Sequence, residues 1–172
     1  MKRHLGLFGV LMLALITTTP LAYAAEQEQP VVVNIKRMSM ETALRIAQAA
    51  IAQCRKEGVQ VAVTVIDRGG HAQVVLRDVL AMDLTLTISY QKAYTAMSFN
   101  SPTSALAQRF DSPVSIAKVQ NVLPSAGGVP VTAGGTIIGG VGVSGAPSGL
   151  TDEKCAKAGV AAVEADLEMA GM

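Results

Sequence analysis

The sequence has no tryptophan, and aromatic residues make up only 3% of it, so platforms on which bases or sugars could stack are missing. Charge of one sign is missing too: 14 basic side chains stand against 13 acidic ones, with no basic run among them. That removes the electrostatic case for nucleic acid. Histidine is nearly absent. Of the two, His4 falls in the leader described below, which leaves His71 alone in the rest of the chain. Without a second histidine or a zinc-like cysteine spacing, a zinc centre lacks its ligands, and a Ser–His triad would depend on His71 alone. No Gly-Lys-Ser/Thr occurs, which excludes a phosphate P-loop.

Cysteine is equally scarce, with Cys54 and Cys155 only. Both fall on expected helices, at the end of the first and the start of the last. A disulfide is available to them if those helices pack antiparallel in an oxidising compartment. Two buried small apolar side chains are the other reading. The sequence alone leaves both open.

The longest apolar run is at the start. Lys2 and Arg3 precede an uncharged stretch from Leu5 to Ile16, Thr17 to Pro20 break it, and Ala22-Tyr23-Ala24 forms a small-x-small cleavage site. This is the pattern of a secretory signal peptide over residues 1–24. The run is too short to span a bilayer as an anchor, and no membrane contact is expected once it is cleaved. The expected product is an exported protein, periplasmic or secreted. Residues 25–37 read as an N-terminal stub with a short strand at Val31–Ile35, and 38–172 as one domain large enough to bury its own core.

Within that domain Ser39 caps a helix with Glu41 in its first turn. Ala43, Ile46, Ala47, Ala50, Ile51 and Cys54 give it an apolar stripe, and Gly58 stops it. Val59, Val61, Val63 and Val65 then alternate with more polar residues, as in a strand with one buried face. Asp67-Arg68-Gly69-Gly70 is a tight turn, and Ala72 to Leu76 is the returning strand of a hairpin. His71 stands at its mouth. A second helix is expected from Asp83 or Leu84 to Met97, a short one over Ala105–Phe110, and a helical turn or two between Val114 and Leu123. Thr151, followed by Asp152 and Glu153, is the expected cap of the last helix. Hairpins separated by helices indicate an α+β domain with an antiparallel sheet.

Between these lies Gly127–Gly149, which holds more than half of the 16 glycines. Gly140 to Gly145 spells G-x-G-x-x-G, a dinucleotide fingerprint when a strand feeds directly into a helix. Here Pro147 to Leu150 intervene and no third strand follows the helix. The apolar Val129, Val131, Ile137, Ile138, Val141 and Val143 instead fit a hairpin turning at Ala133-Gly134-Gly135, with glycines that admit another backbone, a helix or a flat ligand. His71 is the one candidate axial metal or haem ligand, with a surface histidine as the plain alternative. Of the eight methionines, only Met82 and Met97 fall near a candidate site.

An ordered set of short motifs adds to this reading: Val65-Ile66-Asp67-Arg68-Gly69-Gly70-His71, Arg77-Asp78, Lys92-Ala93-Tyr94-Thr95-Ala96, Gly127-Gly128-Val129-Pro130-Val131, Gly139 to Gly145, and Asp152-Glu153. Together they resemble the GlcG/HbpS-type haem-binding family, often labelled haem-degrading, over about Met40 to Met169. The resemblance implies a profilin/PAS-like α+β domain, with an antiparallel sheet of about five strands, helices on its faces and assembly into homo-oligomers. It implies haem as cofactor, with His71 meeting the iron and Arg77 and Lys92 the propionates. It implies a haem-handling, sensing or degrading role rather than a dedicated enzyme. Two alternatives stay beside it: an accessory protein of small organic acid (glycolate-type) metabolism, and a structural assembly module without a specific ligand. The chain departs from the family after Arg77-Asp78, where many relatives read Arg-x-Asp-Gly-Ala and this one reads Arg-Asp-Val-Leu-Ala.

Overall fold

The architecture is that of a computed structural model of the chain, which describes residues 30–110 and 119–171. The chain divides into two units, Met1–Asn34 and Ile35–Met172. The expected signal peptide, 1–24, lies outside the described residues, as does most of the helical turn expected from Val114. Residues 119–123 form a turn with no helix.

In the second unit, helix α1 (Met40–Lys56) starts where Ser39 accepts the N–H of Thr42 and Glu41 faces the positive end of the helix dipole. Strands β1 (Ala62–Asp67) and β2 (Ala72–Arg77) form the first hairpin, and helix α2 (Leu84–Phe99) and a 3₁₀ helix (Thr103–Phe110) follow. Strands β3 (Gly128–Ala133) and β4 (Thr136–Ser144) form the second hairpin, before helices α3 (Gly149–Ala161) and α4 (Glu164–Gly171). Ser148, rather than Thr151, caps α3 and accepts the N–H of Leu150, because the chain turns into the helix directly after Pro147.

One antiparallel sheet has the order β2-β1-β4-β3. The domain is α+β, but among the described residues the sheet has four strands, not about five as expected of a profilin/PAS-like domain. Val31–Ile35 is irregular. Its valines favour a strand, but β-propensity depends on context and does not by itself form one.

Strand β1 is buried on both faces rather than on one. Val61, Val63 and Val65 join Ile46, Ala50 and residues of α3 in the main core, while Ile66 packs with Ala93 and Met97 of α2. Thr64 is buried as well and shares a 2.8 Å hydrogen bond with Ser89 of α2. Sheet glycines make this close approach possible. A Cβ at Gly142 would strike the carbonyl of Ser89, and one at Gly140 that of Ala93. The glycine-rich segment is therefore a helix-packing strand, and the dinucleotide reading has no place in it. On the opposite face, Cys54 of α1 and Cys155 of α3 form a disulfide with Cα atoms 5.4 Å apart. Both are fully buried.

Candidate functional site

Asp67 ends β1 and is nearly inaccessible, with 2% of its side chain exposed. Its Oδ1 accepts the backbone N–H groups of Gly69 at 2.8 Å and His71 at 3.0 Å. This is how an Asp two residues before a Gly closes a tight turn. Gly70 adopts φ +84° and accepts the hydroxyl of Tyr90, at 3.1 Å. A Cβ at Gly69 would meet the ring of His71 at 2.9 Å, so a side chain there would displace the imidazole from this position. The turn thus seats His71 against the carboxylate, with Nδ1 3.4 Å from Asp67 Oδ1 and the side chain 75% exposed.

The other oxygen of Asp67 faces Arg37, whose Nη1 lies 3.4 Å away on a largely exposed side chain. Burial alone would raise the pKa of Asp67. The N–H groups of His71 and Gly69 and the charge of Arg37 together outweigh it and hold the carboxyl below its usual range. Arg37 also lines a cleft of about 370 Å³ with Lys36, Met38, Ile138, Leu167 and Ala170. The cleft has a basic rim and an apolar floor. Lys36 closes its end by donating to the carbonyls of Ala170 and Gly171.

The structure does not bring the three expected haem contacts together. His71 precedes β2 and Arg77 ends it, so they stand at opposite ends of the strand. Arg77 donates to the carbonyl of Ala81 and faces Asp83 at 3.3 Å. Lys92 is 4% exposed and donates to Asp152 at 2.8 Å and to the Val143 carbonyl at 3.1 Å. It is a buried ion-pair partner rather than a rim cation. Sequence reasoning passed over Asp67 and Arg37. The Asp-x-Gly-Gly spelling was the available signal for Asp67, whereas nothing in the local sequence marks Arg37.

The domain is a three-layer α+β fold that carries an exposed, carboxylate-backed imidazole beside a basic-rimmed cleft. The chain belongs to the family described as "Haem degrading protein HbpS-like", whose model matches residues 38–161. It is 40% identical to HbpS in a crystal structure, over 76% of this chain and 93% of that one, with a TM-score of 0.74. It is 26% identical to PduOC, solved as a complex with haem, over 74% of this chain and 95% of that one, with a TM-score of 0.67. An uncharacterized 15.0 kDa protein from the dhaT-dhaS intergenic region of Citrobacter freundii is 31% identical over 117 residues, 65% of this chain and 82% of that protein.

Proposed function

We propose that this is an exported haem-binding protein in which His71 meets the iron and Arg37 and Lys36 replace Arg77 and Lys92 as propionate partners. The observation that carries the reading is the Asp67 carboxylate, which touches both His71 and Arg37. A carboxylate on one ring nitrogen orients an imidazole and leaves the other nitrogen, here the exposed Nε2, for a metal. One protein ligand suffices because a porphyrin supplies four nitrogens of its own. The guanidinium suits a carboxylate, and the apolar floor of the cleft suits the edge of the macrocycle. The PduOC–haem complex, a relative across most of this chain, supports the ligand class. Bound iron porphyrin would supply the redox chemistry, and the residues named here would bind and orient it.

Export is part of the same reading. The 1–24 pattern suggests it, and the Cys54–Cys155 disulfide suits an oxidising compartment. No helix among the described residues is long and apolar enough to cross a membrane. We also read the protein as a homo-oligomer, because Val79, Leu80, Met82, Leu84 and Leu86 form an exposed apolar ridge.

Haemin titration of the apo-protein tests the site. The wild type is expected to give a saturable Soret shift, His71→Ala to lose it, and Arg37→Ala to weaken binding about tenfold, as for one charged hydrogen bond. Full-strength binding by His71→Ala would remove this imidazole from the site.

A further inference from the structure

A second cleft, of about 380 Å³, opens at the other end of the sheet. Ser144, on its wall, pairs with Ala62, whereas Asp67 pairs with Gly139 five residues away along β4. That register puts the two sites about 17 Å apart. Met82, Leu84, Ile88 and Leu123 give this cleft apolar walls, and among the described residues Lys92 and Asp152 are the only ionisable groups lining it.

The pair is unusual for its position. A buried ion pair used only to hold a fold is often no better than apolar packing in its place, yet here the two charges lie against an open cleft. Among the described residues their hydrogen bonds are also incomplete. An ammonium has three N–H donors, and Lys92 uses two, on Val143 and Asp152. A carboxylate accepts about four bonds, and Asp152 accepts from Lys92 and from the backbone N–H of Ala146. Among the described residues this leaves one donor on Lys92 and acceptor capacity on Asp152, two groups 2.8 Å apart. Ser144, 5% exposed, adds a hydroxyl to the same wall.

The geometry points to a second binding site, for a small uncharged molecule that carries a carbonyl or hydroxyl oxygen next to a hydroxyl group. Its acceptor oxygen takes the remaining N–H of Lys92, and its hydroxyl donates to Asp152. Net charge is selected against from both sides: an anion would face the carboxylate of Asp152, and a cation the ammonium of Lys92. The volume lies at the small end of ligand pockets, and the apolar walls favour a short carbon tail.

Three probes of similar size separate these cases: hydroxyacetone, which is neutral, lactate, which is anionic, and propylamine, which is cationic. Saturation-transfer NMR on the full mature protein is expected to show saturable binding of hydroxyacetone, with lactate and propylamine weaker by about tenfold or more, which is 1.4 kcal/mol. Ile88→Trp, which fills the cleft, is expected to abolish the signal, as is Lys92→Met. Haemin binding by both variants serves as the check that they fold, and if Lys92→Met fails it, Ile88→Trp decides. His71→Ala is expected to bind hydroxyacetone like the wild type. No saturable signal from hydroxyacetone, equal binding by a folded Ile88→Trp, or preference for lactate would each overturn the assignment.

Discussion

The carboxylate of Asp67 carries four contacts at once: the N–H groups of Gly69 and His71, the imidazole of His71 and the guanidinium of Arg37. Each favours the ionised form over the protonated one. Since the folded pKa is depressed, the stability that Asp67 supplies is complete above the ordinary carboxylate pKa, about 4, and is lost as pH falls through the folded value. Glu153 acts in the same direction. Burial opposes its ionisation, but bonds from Lys157 and Ser104 outweigh burial. Asp152 acts the other way, because burial raises its pKa despite Lys92, so acidification relieves it. Asp67→Asn is expected to lower stability at pH 7 by about 2 kcal/mol, the worth of a hydrogen bond to a charged group. It should also flatten the fall in stability below pH 4. Urea denaturation across pH 2–7 checks both, and an unchanged acid slope would show that Asp67 does not control it.

At the scale of elements, α1 and α3 lie against the same sheet face and are joined by Cys54–Cys155, 101 residues apart in sequence. Closing so long a loop restricts the unfolded chain and is worth about 4–5 kcal/mol in the chain-entropy model. A Cys54→Ala/Cys155→Ala variant is expected to lose stability on that scale in urea denaturation, while the mass of the intact wild type shows two hydrogens fewer than the dithiol. Much of this level is legible in the sequence. The apolar stripe of α1, the cap at Ser39 and the two glycine turns are local signals, and all three mark real boundaries. What escapes is tertiary. Thr64 looks like the polar side of a half-buried strand, and only its contact with Ser89 shows that α2 covers it. Lys92 resembles any exposed helix lysine until Asp152, 60 residues away, is beside it. Val31–Ile35 has strand propensity and is irregular all the same. Asp67 reads as a turn former, which it is, and its second task depends on where Arg37 ends up.

For the whole molecule, the loop after β2 is where large apolar side chains are left uncovered. Arg77 pins the loop through the Ala81 carbonyl and Asp78 holds its root by accepting from Arg55 and from the N–H of Val61. Between them Val79 and Leu80 are left 83% and 77% exposed, continuing into Met82, Leu84 and Leu86. A loop fixed at its root that presents several large apolar side chains costs solubility unless another surface covers it. A second copy of the chain is the partner always present at equal concentration, and closed symmetric pairing is the commonest solution. The ridge also borders the cleft of Lys92 and Asp152 through Met82 and Leu84. Val79→Lys with Leu80→Lys is therefore expected to reduce the mass measured by light scattering to that of a single protomer, with the haemin titration unchanged because His71 is at the other end of the sheet. A wild type that is already monomeric, or an assembly untouched by the double substitution, would remove the ridge as the contact.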